Sequence, residues 1–206
     1  MKKKPVKIVL VGNAFSGKTR VLEGLQRRII PGNRWKPEFV GEAASDVMRE
    51  TPLHPNKDPL AFQYAVSLTQ ILREAHAEQQ ADTEENLLLI CDRGVADAYV
   101  YLDDDAASQV LDNEPLECCL SRYDLALLFD TYYNSTCESS GVDLKTGNAF
   151  RYETEEQMAE RSLRTVEVWG RHENLITVPV FPTIDDKIVY VAHVINAFLS
   201  ERVFAE

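Results

Sequence analysis

Short apolar runs alternate with helical periodicities along this chain. "KIVLV" at residues 7–11 is β-branched and apolar and stops at Gly12, the pattern of a strand buried on both faces. Val21, Leu22, Leu25 and Ile29 then recur at helical spacing, predicting a helix from about Gly17 until "PGN" at 31–33 breaks it. "EFVGEAA", 38–44, reads as a short strand running into a loop. Asp58 is a good N-cap, Pro59 suits a first helical position, and Ala61, Ala65, Leu68, Leu72 and Ala75 predict one helix face. "NLLLICDRG" (86–94), "YDLALLFDT" (123–131) and "NLITVPVF" (174–181) predict three more buried strands, and an amphipathic helix spans about 184–202. Strands separated by helices imply an α/β fold of three layers, α/β/α, around a mostly parallel five-stranded sheet.

One segment departs from that rhythm. From Tyr132 to about Thr154 the chain is rich in Ser, Thr, Asn and Gly and longer than the connections of compact domains. It leads into "EEQMAERSLRTVEVWG", a helix with Arg161 and Arg164, so a lid region is expected at about 132–165.

Composition narrows the classes. With 206 residues and 45% hydrophobic content, one sizeable core and a single domain over 1–206 are expected. A net charge of −11 disfavours duplex nucleic acid as a partner. The basic opening "MKKKPVK" precedes too short an apolar run for a signal segment or a membrane span. Cys91, Cys118, Cys119 and Cys137 have no CxxC spacing, which suits a reduced, cytoplasmic protein. His54, His76, His172 and His193 show no ligand spacing, and "LDDDAAS" (102–108) reads as a solvated acidic turn. Trp35, Trp169 and the Tyr132, Tyr133 pair read as packing residues, and a homo-oligomer is compatible with all of this.

Candidate chemistry begins at "GNAFSGKT". Gly12, Asn13, Ala14, Phe15, Ser16, Gly17, Lys18 and Thr19 fit G-x-x-x-x-G-K-[ST] at every fixed position, between a predicted strand and a predicted helix, with Arg20 following. Glycines let the backbone amides curl inward around a phosphate, and the helix N-terminus adds partial positive charge. Lys18 reaches the β and γ phosphates, and the Thr19 hydroxyl can ligate Mg²⁺. Asp92, ending a buried strand, is either the acid that orients the metal's water or a turn cap; Arg93 serves an anionic ligand or pairs with Asp97. Glu42, at the C-terminal end of a predicted strand, faces the crevice where such sheets bind ligands.

"GNAFSGKT", "FVGEAAS" and "CDRGVADAYVY", in that order, resemble the P-loop family that groups the nicotinamide riboside kinase domain of bacterial NAD-synthesis regulators with the TRPL translocation defect protein. More distantly they resemble thymidylate and deoxyribonucleoside kinases. The resemblance implies Gln63 of "FQYAVSLTQ" as a base-binding glutamine, Glu42 as general base, the Asp92 and Arg93 pair as catalytic, and Arg151 of "GNAFRYETEEQ" as a lid contact to nucleotide phosphates. By its residues alone Gln63 is a substrate contact or an exposed helical glutamine, Asp97 holds the substrate or pairs with Arg93, and Asp92 is the alternative base. This chain departs from the deoxyribonucleoside kinases in carrying Ala43 where a proline commonly follows the glutamate, and Gly94 where they carry serine. No Asn-Lys-x-Asp guanine motif is present.

The expectation is a magnesium-dependent kinase that uses ATP, with GTP also admissible, to phosphorylate a nucleoside-like small-molecule acceptor. The alternatives are a nucleotide-dependent regulator or trafficking protein, with phosphoinositide as the ligand that the TRPL-defect resemblance implies, and a bare NTPase.

Overall fold

The computed structural model describes residues 4–13, 16–28, 35–80, 86–129 and 155–203. The five expected strands are β1 (Val6–Val11), β2 (Trp35–Val40), β3 (Asn86–Asp92), β4 (Leu125–Phe129) and β5 (Leu175–Val178). They pair in the order β2-β3-β1-β4-β5, every pairing parallel. The chain leaves β1 toward β2 on one side and leaves β3 toward β4 on the other. That reversal opens a crevice between the carboxyl ends of β1 and β3. Leu10 and Asp92 are register partners there, and the Arg93 amide donates to the Leu10 carbonyl (3.0 Å).

Alternate strand residues feed the two outer layers. Ile8, Leu10, Leu88, Ile90, Leu127 and Phe129 pack against α1 (Lys18–Arg28) and α8 (Ile184–Val203). Val9, Val11, Leu89, Cys91 and Leu128 face the opposite layer, which includes Tyr99, Leu120 and Trp169. That layer is built from α3 (Pro59–Gln80), a 3₁₀ turn (Val95–Asp97), α4 (Ala98–Tyr101), α5 (Asp104–Val110), α6 (Leu116–Leu120) and α7 (Glu155–Trp169). Full burial of each such leucine or isoleucine contributes roughly 1.5–3 kcal/mol.

Three local expectations are corrected. Residues after β2 form a helix, α2 (Ala43–Glu50), instead of a loop, with Glu42 at its N-cap position. Asp103 of the acidic turn caps α5, its Oδ1 accepting from the Ala106 amide (2.9 Å), and Asp104 and Asp105 occupy the first turn, where the helix dipole favours negative charge. The third concerns α3. It starts as predicted, the Asp58 Oδ1 accepting from the Ala61 amide (2.9 Å), but the face it buries carries Phe62, Gln63, Ser67, Gln70 and Glu74. Leu60, Tyr64, Leu68 and Leu72 are exposed. The polar side turns inward because Gln70 and Glu74 find hydrogen-bond partners there.

Gly94 is explained by packing alone, since its backbone is extended (φ −134°). A Cβ there would lie 2.8 Å from Trp169 Cη2 and 2.9 Å from Tyr123 Cζ. This accounts for the glycine where the kinases it resembles carry serine. Gly94→Ala is expected to lower the unfolding free energy by about 1–3 kcal/mol in urea titrations. Gly41→Ala, where a Cβ would meet nothing within 4 Å, should stay within about 0.5 kcal/mol of the parent.

Candidate active site

The loop after β1 is shaped by its glycines. Gly12 has φ +134°, and a Cβ on it would sit 2.7 Å from the Phe129 carbonyl oxygen, so both conformation and the closeness of β4 exclude a side chain. Gly17 has φ +90°, and its carbonyl accepts from the Val21 amide (2.9 Å), starting α1. The first-turn amides of Lys18, Thr19 and Arg20 are therefore free of intrahelical partners, as an anion site requires. Asn13 is buried and its Nδ2 donates to the Met158 carbonyl (2.9 Å), so its side chain ties the loop to α7. Arg20 is exposed. Ala14, Phe15 and Arg151, with most of the expected lid, lie outside the described residues.

Lys18 is buried and folded back on its own loop. Its Nζ donates to the carbonyls of Gly12 (2.7 Å) and Asn13 (2.7 Å) and to Ser16 Oγ (3.2 Å). Burial and the Arg93 charge push its pKa down to about 7, against the opposing pull of Asp92, Glu42 and Asp97. Thr19 Oγ1 donates to Asp92 Oδ2 (2.8 Å). The other carboxylate oxygen, Asp92 Oδ1, is buried without a hydrogen-bond partner, and burial raises the pKa of this acid. A hydroxyl beside an orphaned carboxylate oxygen is a hard-oxygen donor set, and it fits Mg²⁺ held partly by phosphate oxygens and water. Among the described residues no group of three or more His, Cys, Asp or Glu forms a closed metal cage.

Arg93 stands at the centre of a charged cluster after β3. Its backbone is left-handed (φ +78°), and its guanidinium is largely buried. Nε donates to Glu42 Oε1 (2.9 Å) and Nη1 to Asp97 Oδ2 (3.2 Å). The same guanidinium lies 5.6 Å from the Tyr101 ring centroid, and Arg161 stacks on that ring at 4.8 Å. Asp97 Oδ1 accepts from Trp169 Nε1 (2.7 Å), and Glu42 Oε2 accepts from Ser45 Oγ (2.7 Å). Glu42, Arg93 and Asp97, singled out in the sequence, are thus one hydrogen-bonded cluster.

Gln63 is 5% exposed. It lies about two helical turns before Gln70 on the same buried face of α3. Gln70 donates to the Arg93 carbonyl (3.3 Å) and to Glu74 Oε1 (2.9 Å). Tyr123 Oη donates to that same oxygen (2.9 Å) while accepting from the Val95 amide (2.8 Å). Lys7 Nζ completes Glu74 at Oε2 (3.2 Å). Arg164 is committed to the Tyr99 carbonyl, Asp104 and Glu167, so it braces α7.

Sequence reading does not single out Gln70, Glu74, Tyr101 or Tyr123. Trp169 reads as packing, and it is fully buried, yet it also holds Asp97. The available signal for α3 is the spacing of Gln63, Ser67, Gln70 and Glu74, a polar stripe that only an internal partner set explains.

A family model described as an AAA domain matches residues 7–177 of the chain. No curated protein matches the sequence. Among solved structures, the thymidylate kinase of Candida albicans is similar at a TM-score of 0.58 and 16% identity, covering 94% of this chain and 92% of that one. The fold is therefore that of P-loop kinases of the thymidylate kinase type. Among the described residues no helix is long and apolar enough to cross a membrane.

Burial pushes the Glu42 carboxyl up, but Arg93, the Ser45 hydrogen bond and Lys18 outweigh it and bring the pKa from 4.5 to about 2. A depressed carboxylate stabilises the fold fully above its unfolded value and loses that contribution as pH falls through its folded one. The stability gap between the parent and Glu42→Gln should therefore narrow between pH 4.5 and about 2 in urea titrations. A gap constant across that window would contradict the Arg93 pairing.

Proposed function

The chain belongs to the AAA domain family whose model it matches, and from that premise we propose that it is a magnesium-dependent kinase, transferring the γ-phosphoryl group of ATP to a hydroxyl of a nucleoside-like or riboside acceptor. GTP is an admissible second donor. The order of the motifs supports placing it with the grouping of nicotinamide riboside kinase domains and the TRPL translocation defect protein. The observation that carries the reading is the Glu42, Arg93 and Asp97 cluster beside the phosphate loop. A bare NTPase has no use for a paired carboxylate and arginine across the crevice from its lysine.

The pairing also speaks to the acceptor. Arg93 is already neutralised by two carboxylates, so it offers little to an acceptor that brings its own phosphate. An uncharged hydroxyl end suits it better. Gln63, on the buried face of α3, carries an amide donor and an acceptor that suit a polar ring edge.

In this reading the amides from Gly17 to Arg20 cradle the phosphates, and Lys18 exchanges its loop carbonyls for β and γ oxygens. Thr19 and Asp92 would hold Mg²⁺, directly or through its water, where the ion offsets charge on those oxygens. Glu42 receives the acceptor hydroxyl as a hydrogen-bond donor and aligns its oxygen with the γ phosphorus. The acceptor oxygen bonds to phosphorus as the bond to the β,γ-bridging oxygen breaks, and the nucleoside diphosphate leaves. A carboxylate with pKa about 2 is a weak base, so Glu42 acts chiefly by orientation and takes the proton late, as a loose phosphoryl transfer permits.

The test is a phosphoryl-transfer screen with Mg²⁺, ATP or GTP, and a panel of nucleosides and ribosides. An acceptor should be phosphorylated, and Glu42→Gln should lower kcat by about 10²-fold or more with little change in ATP affinity. Tight nucleotide binding with no acceptor turnover would instead support a nucleotide-dependent regulator, with phosphoinositide-linked trafficking as its setting.

Nucleotide binding should also take up protons. With its pKa at about 7, Lys18 is mostly neutral at pH of about 8, and a bound triphosphate draws it back to the charged form. Calorimetry in buffers of different ionisation enthalpy should read nearly one proton taken up per nucleotide. Zero uptake would mean that Lys18 is already an ammonium in the free chain and would overturn its lowered pKa.

A further inference from the structure

We propose that Lys187, in the first turn of α8, is a positioning residue for the phosphate site, acting by pinning the Ser16 to Gly17 peptide in its anion-binding orientation. This rests on the nucleotide-binding reading above. Lys187 is 8% exposed, and its Nζ donates to the Ser16 carbonyl at 3.0 Å. It also lies 5.7 Å from the Phe129 ring centroid.

The placement runs against two ordinary preferences. A buried ammonium is costly, and a cation in the first turn of a helix faces the positive end of the dipole. Asp185 and Asp186 beside it follow the usual preference for acids there. The Ser16 carbonyl gives one reason for a lysine at 187. A phosphate loop must turn its amides inward, so its carbonyls must face the protein. In a trans peptide the carbonyl and the following N–H point in opposite directions. Holding the Ser16 oxygen toward α8 consequently aims the Gly17 N–H toward the loop's interior. Gly17, at φ +90°, allows that plane to rotate, and the Ile184 side chain, 3.4 Å from where a Cβ on Gly17 would sit, closes α8 on the same peptide. Without Lys187 the buried Ser16 carbonyl keeps only solvent that can reach it, and the plane is free to turn.

The experiment compares the full chain with Lys187→Met by calorimetry, well below both melting temperatures, using ATP and inorganic tripolyphosphate with Mg²⁺. Both probes should bind about tenfold more weakly to the variant, since the affected group meets phosphate and not base. That ratio should persist from low to high salt, because it reflects geometry and not a remote charge. In ¹H–¹⁵N spectra the Gly17 amide should move downfield on saturation with tripolyphosphate in the parent and clearly less in the variant. Unchanged affinity, a loss confined to ATP, or a ratio that vanishes at high salt overturns the proposal. If Lys187→Met does not fold, Lys187→Leu, which likewise lacks a donor, is read in the same way. A parent chain that binds neither probe overturns the nucleotide reading itself; a parent that binds with an unaffected variant overturns only the role of Lys187.

Discussion

The burial of one guanidinium organises this molecule. An arginine taken out of water is tolerated only with charge and hydrogen bonds supplied on several sides, and Arg93 obtains them from separate elements. Glu42 comes from the start of α2, Asp97 from the turn after β3, and the Tyr101 ring from α4. Its backbone is left-handed, a conformation that costs a non-glycine residue about 1–3 kcal/mol and persists only where the surroundings over-determine it. The surroundings here are the Leu10 carbonyl on one side and the Gln70 amide on the other. Three of the segments that meet Arg93, the start of α2, the turn after β3 and α3, also carry Glu42, Asp97 and Gln63 of the proposed acceptor site, so fold and site share the same constraint.

That constraint explains why α3 is turned the way it is. Its leucines at 60, 68 and 72 would form an acceptable core face, and by hydrophobicity alone that face would be inside. The alternative face offers Glu74, and a buried carboxylate is costly until it is matched. Tyr123, Gln70 and Lys7 match it completely, and through Tyr123 and Gln70 the match extends to the Val95 amide and the Arg93 carbonyl. A network satisfied at every member can outweigh a few leucines and fix a unique arrangement.

The strands and their parallel order are legible in the sequence because strands buried on both faces are written as continuous apolar runs, and the phosphate loop is legible because its chemistry is local. Glu42, Asp92, Arg93 and Asp97 can be named because each ends a strand or follows within one turn. What stays hidden is non-local. Nothing near Trp169 in the sequence announces that its indole N–H reaches Asp97, 72 residues earlier. Lys187 is 171 residues from Ser16, and by local rules it is simply a lysine on an amphipathic helix. The short helices between residues 95 and 120 escape for a different reason, since four to seven residues are too few to display a period.

α7 links the two halves of the site. Near its start the Met158 carbonyl accepts from Asn13 of the phosphate loop, and at its end Trp169 donates to Asp97 on the acceptor side. Between them Arg161 stacks on Tyr101 and Arg164 anchors the helix to the Tyr99 carbonyl. A rigid helix bonded at both ends cannot move at one without disturbing the other. On the kinase reading, this gives the charge balance of the site a mechanical counterpart. Lys18 and Arg93 face the carboxyl groups of Glu42, Asp92 and Asp97, and Lys187 stands behind the loop. On that reading a divalent cation arriving with the triphosphate lowers, without abolishing, its repulsion by these carboxylates. Lys18 is held by the carbonyls of Gly12 and of Asn13, the residue whose side chain holds α7. The hydrogen bonds of Asn13 and Trp169 thus join the phosphate loop through α7 to Asp97, which in turn pairs with Arg93.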